Sequence, residues 1–527
     1  MTVRSLLLAG TIVGISGLAS QAFAQNAPST QASIRAQQAE IDYLKQQLKA
    51  MQDKLESLQT QSTTQAQAVA TTQAQVAETV AKPKPHVTES ASHRMALESA
   101  DGLYSIGLTG RVNLDVGDYV GFTPKSREVG PQDLNSGFNA RRARIGITGK
   151  ADGDFGYTFI YDAGGSNDSA QGVIETAQLT YTGLKGANFN TSFEFGYSDT
   201  FFTLEEAQGS NDITFMERSA PQVAAVSVNA GDNRSNVGGR FYNDRLWIGA
   251  YVTGPANGNA HGVGESIGAF ERVAYQFLST PDYSLHIGGD FDEIIKAPQA
   301  AAGAANGFAI SSTPELRVDP TTFATTGAAG TAYGTLGAIV SGVNHSVSGG
   351  YIADAELAGT YGPLLLQSEY YHFDIDRIGL KTAAFDGEYA QVAYTLTGEA
   401  HKYNKAAGAY VSPVPAYDFA PSQGHWGAFE IAARYSYIDL TSNFTAGLPI
   451  SATSQPSAIN GGKETGYTVG LNWYPNTYMR VMLNYIHTDF EKANPAAVTV
   501  AGVGTAAIGT PVGATIDAIA LRTQVNW

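Results

Sequence analysis

Two hydrophobic periodicities divide the chain. Between Ile34 and Leu58 the apolar residues follow a heptad: Ile34, Ile41, Leu48 and Leu55 are seven apart, with Leu44, Met51 and Leu58 at the d positions between them. Gln, Lys, Asp and Glu fill the other sites, the pattern of an amphipathic helix able to pair in a coiled coil. The series weakens through Val69 and Val76, and Lys82-Pro83-Lys84-Pro85 ends it, because Pro cannot continue a helix. The mixture of Ile, Leu and Met leaves the number of coil strands open, and an isolated amphipathic helix fits the same pattern.

From residue 103 the period is two. Tyr104, Ile106, Leu108, Val112 and Leu114 alternate with Ser105, Gly107, Thr109, Arg111 and Asn113. A run of about 11 such residues has the length of a tilted membrane strand, with one face toward lipid and the other toward water. The pattern recurs in Phe155 to Tyr161, Phe189 to Tyr197, Phe429 to Tyr437, Tyr467 to Trp473 and Ile519 to Trp527. Sixteen such segments are expected, near 103–114, 140–150, 154–162, 173–183, 188–197, 236–243, 246–254, 266–278, 283–293, 345–358, 363–373, 387–397, 427–440, 465–474, 478–489 and 515–527. Long and short connections alternate, as extracellular loops and periplasmic turns require. The longest outer loops are 198–235, 294–344, 441–464 and 490–514; the connection 398–426 is long on the periplasmic side, which leaves 18 strands open. The expected fold is all-β, a 16-stranded antiparallel transmembrane β-barrel preceded by a short N-terminal coiled-coil stalk. A soluble β-sandwich or propeller is the competing fold, and no blade-length repeat supports it.

Composition sharpens this. Arg4, the apolar run Leu6 to Leu18 and Ala22-Phe23-Ala24 read as a secretory signal with cleavage before Gln25. The chain therefore divides into a signal peptide (1–24), a coiled-coil oligomerisation segment (25–80), a linker (81–100) and a barrel (101–527). There is no Cys, whereas 27 Tyr, 23 Phe and 58 Gly are many for a chain with so few charges. A closed barrel satisfies its backbone internally and needs no disulfide. A net charge of −16 argues against nucleic acid as a partner. No His-Glu-x-x-His occurs in the mature chain, nor a phosphate-cradling Gly-x4-Gly-Lys-Ser/Thr loop. His372 and Asp374 imitate part of a hydrolase triad without an identifiable nucleophile. Neither an enzyme nor a cofactor is expected.

Several stretches resemble the phosphate-selective porin O/P family. They are Phe138-Asn139-Ala140-Arg141-Arg142-Ala143-Arg144-Ile145, Ile213-Thr214-Phe215-Met216-Glu217-Arg218, Thr397-Gly398-Glu399, Gly427-Ala428-Phe429-Glu430 with Ala433-Arg434-Tyr435-Ser436, Gly470-Leu471-Asn472-Trp473-Tyr474-Pro475-Asn476 and Arg522-Thr523-Gln524. Their order and spacing cover about residues 100–527. The resemblance implies a 16-stranded, trimeric barrel in the outer membrane of a Gram-negative bacterium. It also implies a third loop that narrows the pore and an arginine-lined path for small anions or other small hydrophilic solutes.

Strand parity selects the lumenal residues. It turns Arg111, Arg142, Arg144, Arg240, Arg272, Arg434, Arg480 and Arg522 inward and leaves Arg141 on the lipid parity, at the rim. Arg stays charged, and its planar fork suits phosphate or carboxylate. The opposing reading pairs these arginines with Glu175, Glu194, Glu430 and Asp290 as structural bridges. The third loop is acidic, with Asp199, Glu205, Glu206, Asp212, Glu217 and Asp232 against Arg218 and Arg234. It predicts a transverse field across the constriction, with Glu217-Arg218 as an anchor, and argues against strict phosphate specificity. A non-conducting tether between the outer membrane and the cell wall is the alternative function.

Overall fold

The computed structural model describes residues 30–81, 85–89, 95–125, 134–165, 172–231, 233–258, 262–280, 282–494, 498–500, 504–506 and 508–527. The expected signal peptide and Asp232 lie outside them. Two compact units are present, Met1–Pro83 and Lys84–Trp527. In the first, α1 runs from Thr30 to Ala81 and stops just before Lys82-Pro83. Its heptad residues are all exposed, Leu48 at 57 % and Leu55 at 65 %. Among the described residues no helix is long and apolar enough to cross a membrane.

The second unit crosses with strands. It is a closed, 16-stranded antiparallel barrel. Its strands are β1 (Ser105–Pro124), β2 (Gly137–Ala151), β3 (Phe155–Asp162), β4 (Val173–Tyr181), β5 (Asn190–Ser198), β6 (Arg234–Tyr242), β7 (Leu246–Ala256) and β8 (Ile267–Ser279). There follow β9 (Tyr283–Lys296), β10 (Val347–Tyr361), β11 (Leu364–Arg377), β12 (Ala383–Thr395), β13 (Ala428–Ser442), β14 (Ile459–Asn476), β15 (Met479–Ala493) and β16 (Pro511–Asn526). Each pairs with the next, and β16 pairs with β1 from Ala514↔Pro124 to Asn526↔Arg111, which closes the sheet. A closed ladder leaves no free sheet edge, the condition for a sheet in lipid. This excludes the sandwich and propeller, and the 18-strand count does not occur in the barrel. A short hairpin (His86–Glu89 with Met95–Glu98), within the stretch expected as linker, adds to the edge of β1.

Alternation places apolar side chains outside: Leu108, Ile145, Leu179, Phe195, Leu366 and Val469 are all exposed. Trp527 lies on this outer face, and its main chain exchanges hydrogen bonds with Gly110 at 3.0 and 3.1 Å. The indole lies so close over Gly110 that an added Cβ would come within 2.2 Å of the ring.

Parity fails once. Across the β1–β2 pair the register slips between Asn113 and Asp115, so Ala140 and Arg141 together oppose a single residue. This β-bulge re-aims one side chain. Arg141 therefore points inward beside Arg142, at 5 % and 1 % exposure, rather than sitting at the rim. The rim placement is corrected by that extra residue.

Candidate solute pathway

The third outer loop, between β5 and β6, bends into the lumen, and nearly all of it is buried. It carries two helices, α2 (Leu204–Ala207) and α3 (Ala220–Asn229). α2 docks by its first N–H groups, which have no helical partner. The Glu369 carboxylate accepts from Leu204 N (2.6 Å) and Glu205 N (3.1 Å), and Asp290 accepts from Thr203 N (3.2 Å). α3 is apolar, and Ala224, Ala225 and Val228 pack in one cluster with Phe270, Phe373, Phe385 and Ile438 of the wall. Gly387 on β12 permits that approach; a Cβ there would lie 2.7 Å from Pro221.

The eight arginines singled out above are buried or half-buried, and most are engaged. Arg144 binds Asp162 (2.8 Å) and Glu175 (2.5 Å). Arg240 binds Glu194 (2.6 Å) and stacks over Phe201, and Arg272 grips Glu356 with two arms (2.6 and 3.0 Å). Arg434 meets Glu205 (3.2 Å) and, closer still, Glu315. Arg522 binds Asp115 (2.7 Å) and Glu217 (2.6 Å). The structural-bridge reading thus holds for Arg144, Arg240 and, loosely at 3.8 Å, for Arg272 with Asp290. Glu430 instead takes His401, at 2.5 Å.

Three of these eight have no carboxylate in ion-pair range among the described residues. Arg480 donates to the carbonyls of Ile213 (2.7 Å) and Thr214 (2.8 Å), and Arg111 to the Ser210 hydroxyl (2.5 Å). All three have a buried Nε without a hydrogen-bond partner, and Arg142 alone of the three has a buried Nη1 in the same state.

The acidic third loop does not present an opposing row of free charges. Glu205 accepts from Ser219 and faces Arg434, Glu206 faces Arg218 (3.1 Å), and Glu217 is held by Arg141 and Arg522. Asp212 accepts from Ser412 N at 2.9 Å. Burial raises the Asp212 carboxyl above its ordinary range, and raises Glu205 despite Arg434. Burial alone would also raise Glu217, but Arg141 and Arg522 reverse this and hold it well below the ordinary value. The expected transverse field is therefore largely compensated within the loop and wall. Glu217 is held to the wall by Arg141 and Arg522, while its neighbour Arg218 pairs with Glu206 within the loop.

Two further segments enter the lumen. The fifth outer loop reaches across it: Glu315 accepts from Arg434, Ser436 and Thr468, Asp319 accepts from Asn135, and Leu316 packs with Met216 of the third loop. From the periplasmic side, the connection expected at 398–426 folds inward as a small hairpin of Lys402–Asn404 and Ala409–Val411. Trp247 Nε1 donates to Ala406 O (2.9 Å), and Arg272 donates to the carbonyls of Ala407 and Gly408 (both 2.9 Å). Gly408, at φ +64, makes the turn beneath that arginine. The hairpin meets the third loop through Gln208 with Tyr410 O, and Ser412 with Asp212. Sequence reasoning missed Glu315 and this hairpin, neither of which lies on an alternating strand. His372 lies on the outer face, paired with Asp386 at 2.8 Å, away from the lumen.

The chain has counterparts among known proteins. Residues 106–527 match the family described as Phosphate-selective porin O and P. The chain belongs to that family. Porin O of Pseudomonas aeruginosa is 26 % identical over 411 residues, covering 76 % of this chain and 86 % of the relative. An uncharacterized protein of Caulobacter vibrioides is 25 % identical over 497 residues, covering 89 % and 87 %. Among solved structures, the anion-selective porin from Comamonas acidovorans is 12 % identical with a TM-score of 0.43, covering 80 % of this chain and 100 % of that one. OmpT of Vibrio cholerae, in its trimer form, is 13 % identical with a TM-score of 0.42, covering 80 % and 99 %. This member of the porin O and P family is an outer-membrane channel protein of a Gram-negative bacterium. Its outer face meets lipid, and its lumen meets small solutes.

Proposed function

We propose that this porin conducts small anions in preference to cations, as a diffusion channel of moderate selectivity. The observation that carries this reading is Arg142: a buried guanidinium with two nitrogens unsatisfied, standing among Arg141, Arg144 and Arg522 with Glu217 as the nearby counter-charge. A buried, unpaired cation is costly, and an entering anion relieves that cost. Arg111 and Arg480 extend the cationic surface along the third loop. Fixed cations at close quarters favour anions over cations, and the compensated loop carboxylates do not oppose them. The third loop has no Lys from Asp199 to Asn233, so the reading stops short of a phosphate-specific pore.

Phosphate added to a chloride-conducting channel tests this. A saturable fall in single-channel chloride conductance is expected, because phosphate dwells longer at Arg142. Chloride conductance indifferent to phosphate would reject the Arg142 site.

The tether retains one supporting observation, since three inward segments meet in the lumen. Purified protein inserted into planar bilayers decides between the two: discrete conductance steps support the channel, and silent insertion the tether. We further propose that α1 pairs with copies of itself through its exposed heptad and forms a periplasmic stalk, and that the assembly is a trimer.

A further inference from the structure

The wall beneath the start of the third loop carries negative charge that its partners do not balance. In the antiparallel register Asp290 on β9 lies directly across from Asp354 on β10, and Glu356 on β10 directly across from Glu369 on β11. Like charges opposed in this way destabilise a sheet, and all four side chains are buried. Glu356 is satisfied by Arg272 and by His286 at 2.7 Å, and Glu369 by the N-terminus of α2 and the Tyr389 hydroxyl. Asp354 is not. It is 7 % exposed, and both its carboxylate oxygens are buried without a hydrogen bond. Asp290 Oδ2 shares that condition.

A second residue outside the carboxylate group points to the same place. Tyr371 on β11 sits across from Asp354 in register, is fully buried, and has a hydroxyl without a partner. It lies within electrostatic reach of both Asp354 and Glu369. A phenol beside carboxylates ordinarily donates to one of them. Its unspent oxygen is available as a neutral ligand.

One oxygen each from Asp290, Asp354 and Glu356 lie within 4.8 Å of one another. Carboxylates with a phenol are an all-oxygen donor set, which Ca²⁺ takes in flexible geometry at about 2.3–2.6 Å, whereas Mg²⁺ demands a near-ideal octahedron. We propose that Asp290, Asp354 and Glu356 form a binding site for a divalent cation of the calcium type, with Tyr371 beside it. Asp354, with both oxygens uncommitted, is the principal ligand. Asp290 contributes Oδ2 while Oδ1 keeps Thr203 N. Glu356 contributes a remaining lone pair. The ion offsets the Asp290–Asp354 pair, leaving Glu356 to Arg272, and ties β9 and β10 to the start of α2 through Asp290 and Thr203.

Protein refolded in zwitterionic detergent, free of lipopolysaccharide, is stripped with a chelator and titrated with CaCl₂ by calorimetry, with MgCl₂ in parallel. A single Ca²⁺ per protomer is expected, held more tightly than Mg²⁺. Asp354→Asn and Asp290→Asn should each weaken it by about ten-fold or more, while Asp517→Asn on the outer face leaves it unchanged. Heat-modifiable gel mobility confirms a folded barrel in each variant. Absence of uptake by the wild type overturns the site and means that the carboxyls share protons instead. Uptake equal in the wild type and whichever lumenal variant folds also overturns it, as adventitious surface binding. None of these readouts depends on which ions the channel passes.

Discussion

Arg141 on β2 and Glu217 in the third loop form a two-armed ion pair, Nε to Oε1 at 2.8 Å and Nη2 to Oε2 at 3.0 Å. Arg522 on β16 reaches the same Oε1 at 2.6 Å. The loop is thus fastened to the seam where the barrel closes, by a carboxylate shared between the first and last parts of the wall.

Removing that carboxylate charge should loosen the loop. Breaking a buried ion pair by changing one partner costs about 3–5 kcal/mol. Glu217→Gln is expected to fold into a barrel of lower thermal stability with a larger or noisier single-channel conductance. Unaltered conductance and stability would show that the loop is held by α2 and α3 alone.

The pH dependence of the same anchor follows from its depressed pKa, well below the ordinary 4.5. Such a group contributes stability that is complete above its unfolded-state value and is lost as pH falls through its folded-state value. The difference in unfolding temperature between the wild type and Glu217→Gln should therefore be constant from pH 7 to about pH 5. It should shrink only in stronger acid. A difference that shrinks between pH 7 and 5 would contradict the pairing.

The periplasmic hairpin should be released by removing its central donor. Arg272→Met deletes the bonds to Ala407 O and Gly408 O, and the substitution also leaves Glu356 without its arginine. Trypsin is expected to cut at Lys402 and Lys405 several times faster in this variant than in the wild type. Equal rates would mean that Trp247 and Tyr410 suffice to hold the hairpin.

The exposed heptad of α1 should hold copies of the chain together. Leu48→Lys places a charge in the expected seam, and oligomers are predicted to dissociate at lower temperature on native gels while the barrel stays folded. An unchanged dissociation temperature would place the oligomer contact elsewhere.

Strands were the legible part of this chain. Their residues report the two solvents they face, so Tyr104 to Leu114 or Tyr467 to Trp473 can be read one residue at a time. Inward arginines were legible for the same reason. Arg141 was not, because a one-residue bulge reverses parity locally; the run Arg141-Arg142-Ala143-Arg144 was its signal, since two adjacent arginines cannot both follow a two-residue period. Glu315 and the hairpin around Gly408 were illegible for a different reason. Their positions depend on long-range partners such as Arg434 and Arg272, and no local periodicity marks a loop that folds inward. The compensated charge of Glu205, Glu206 and Glu217 followed the same rule: composition counts carboxylates, while only geometry pairs them.

The central claim is that uncompensated lumenal arginines, Arg142 foremost, make this pore prefer anions. The reversal potential across a KCl gradient, for the wild type and for Arg142→Gln, tests it most directly. The wild-type potential is expected to have the sign of the chloride equilibrium potential and to move toward zero with the substitution. A potential with the sign of potassium, or one that Arg142→Gln leaves unchanged, would contradict it.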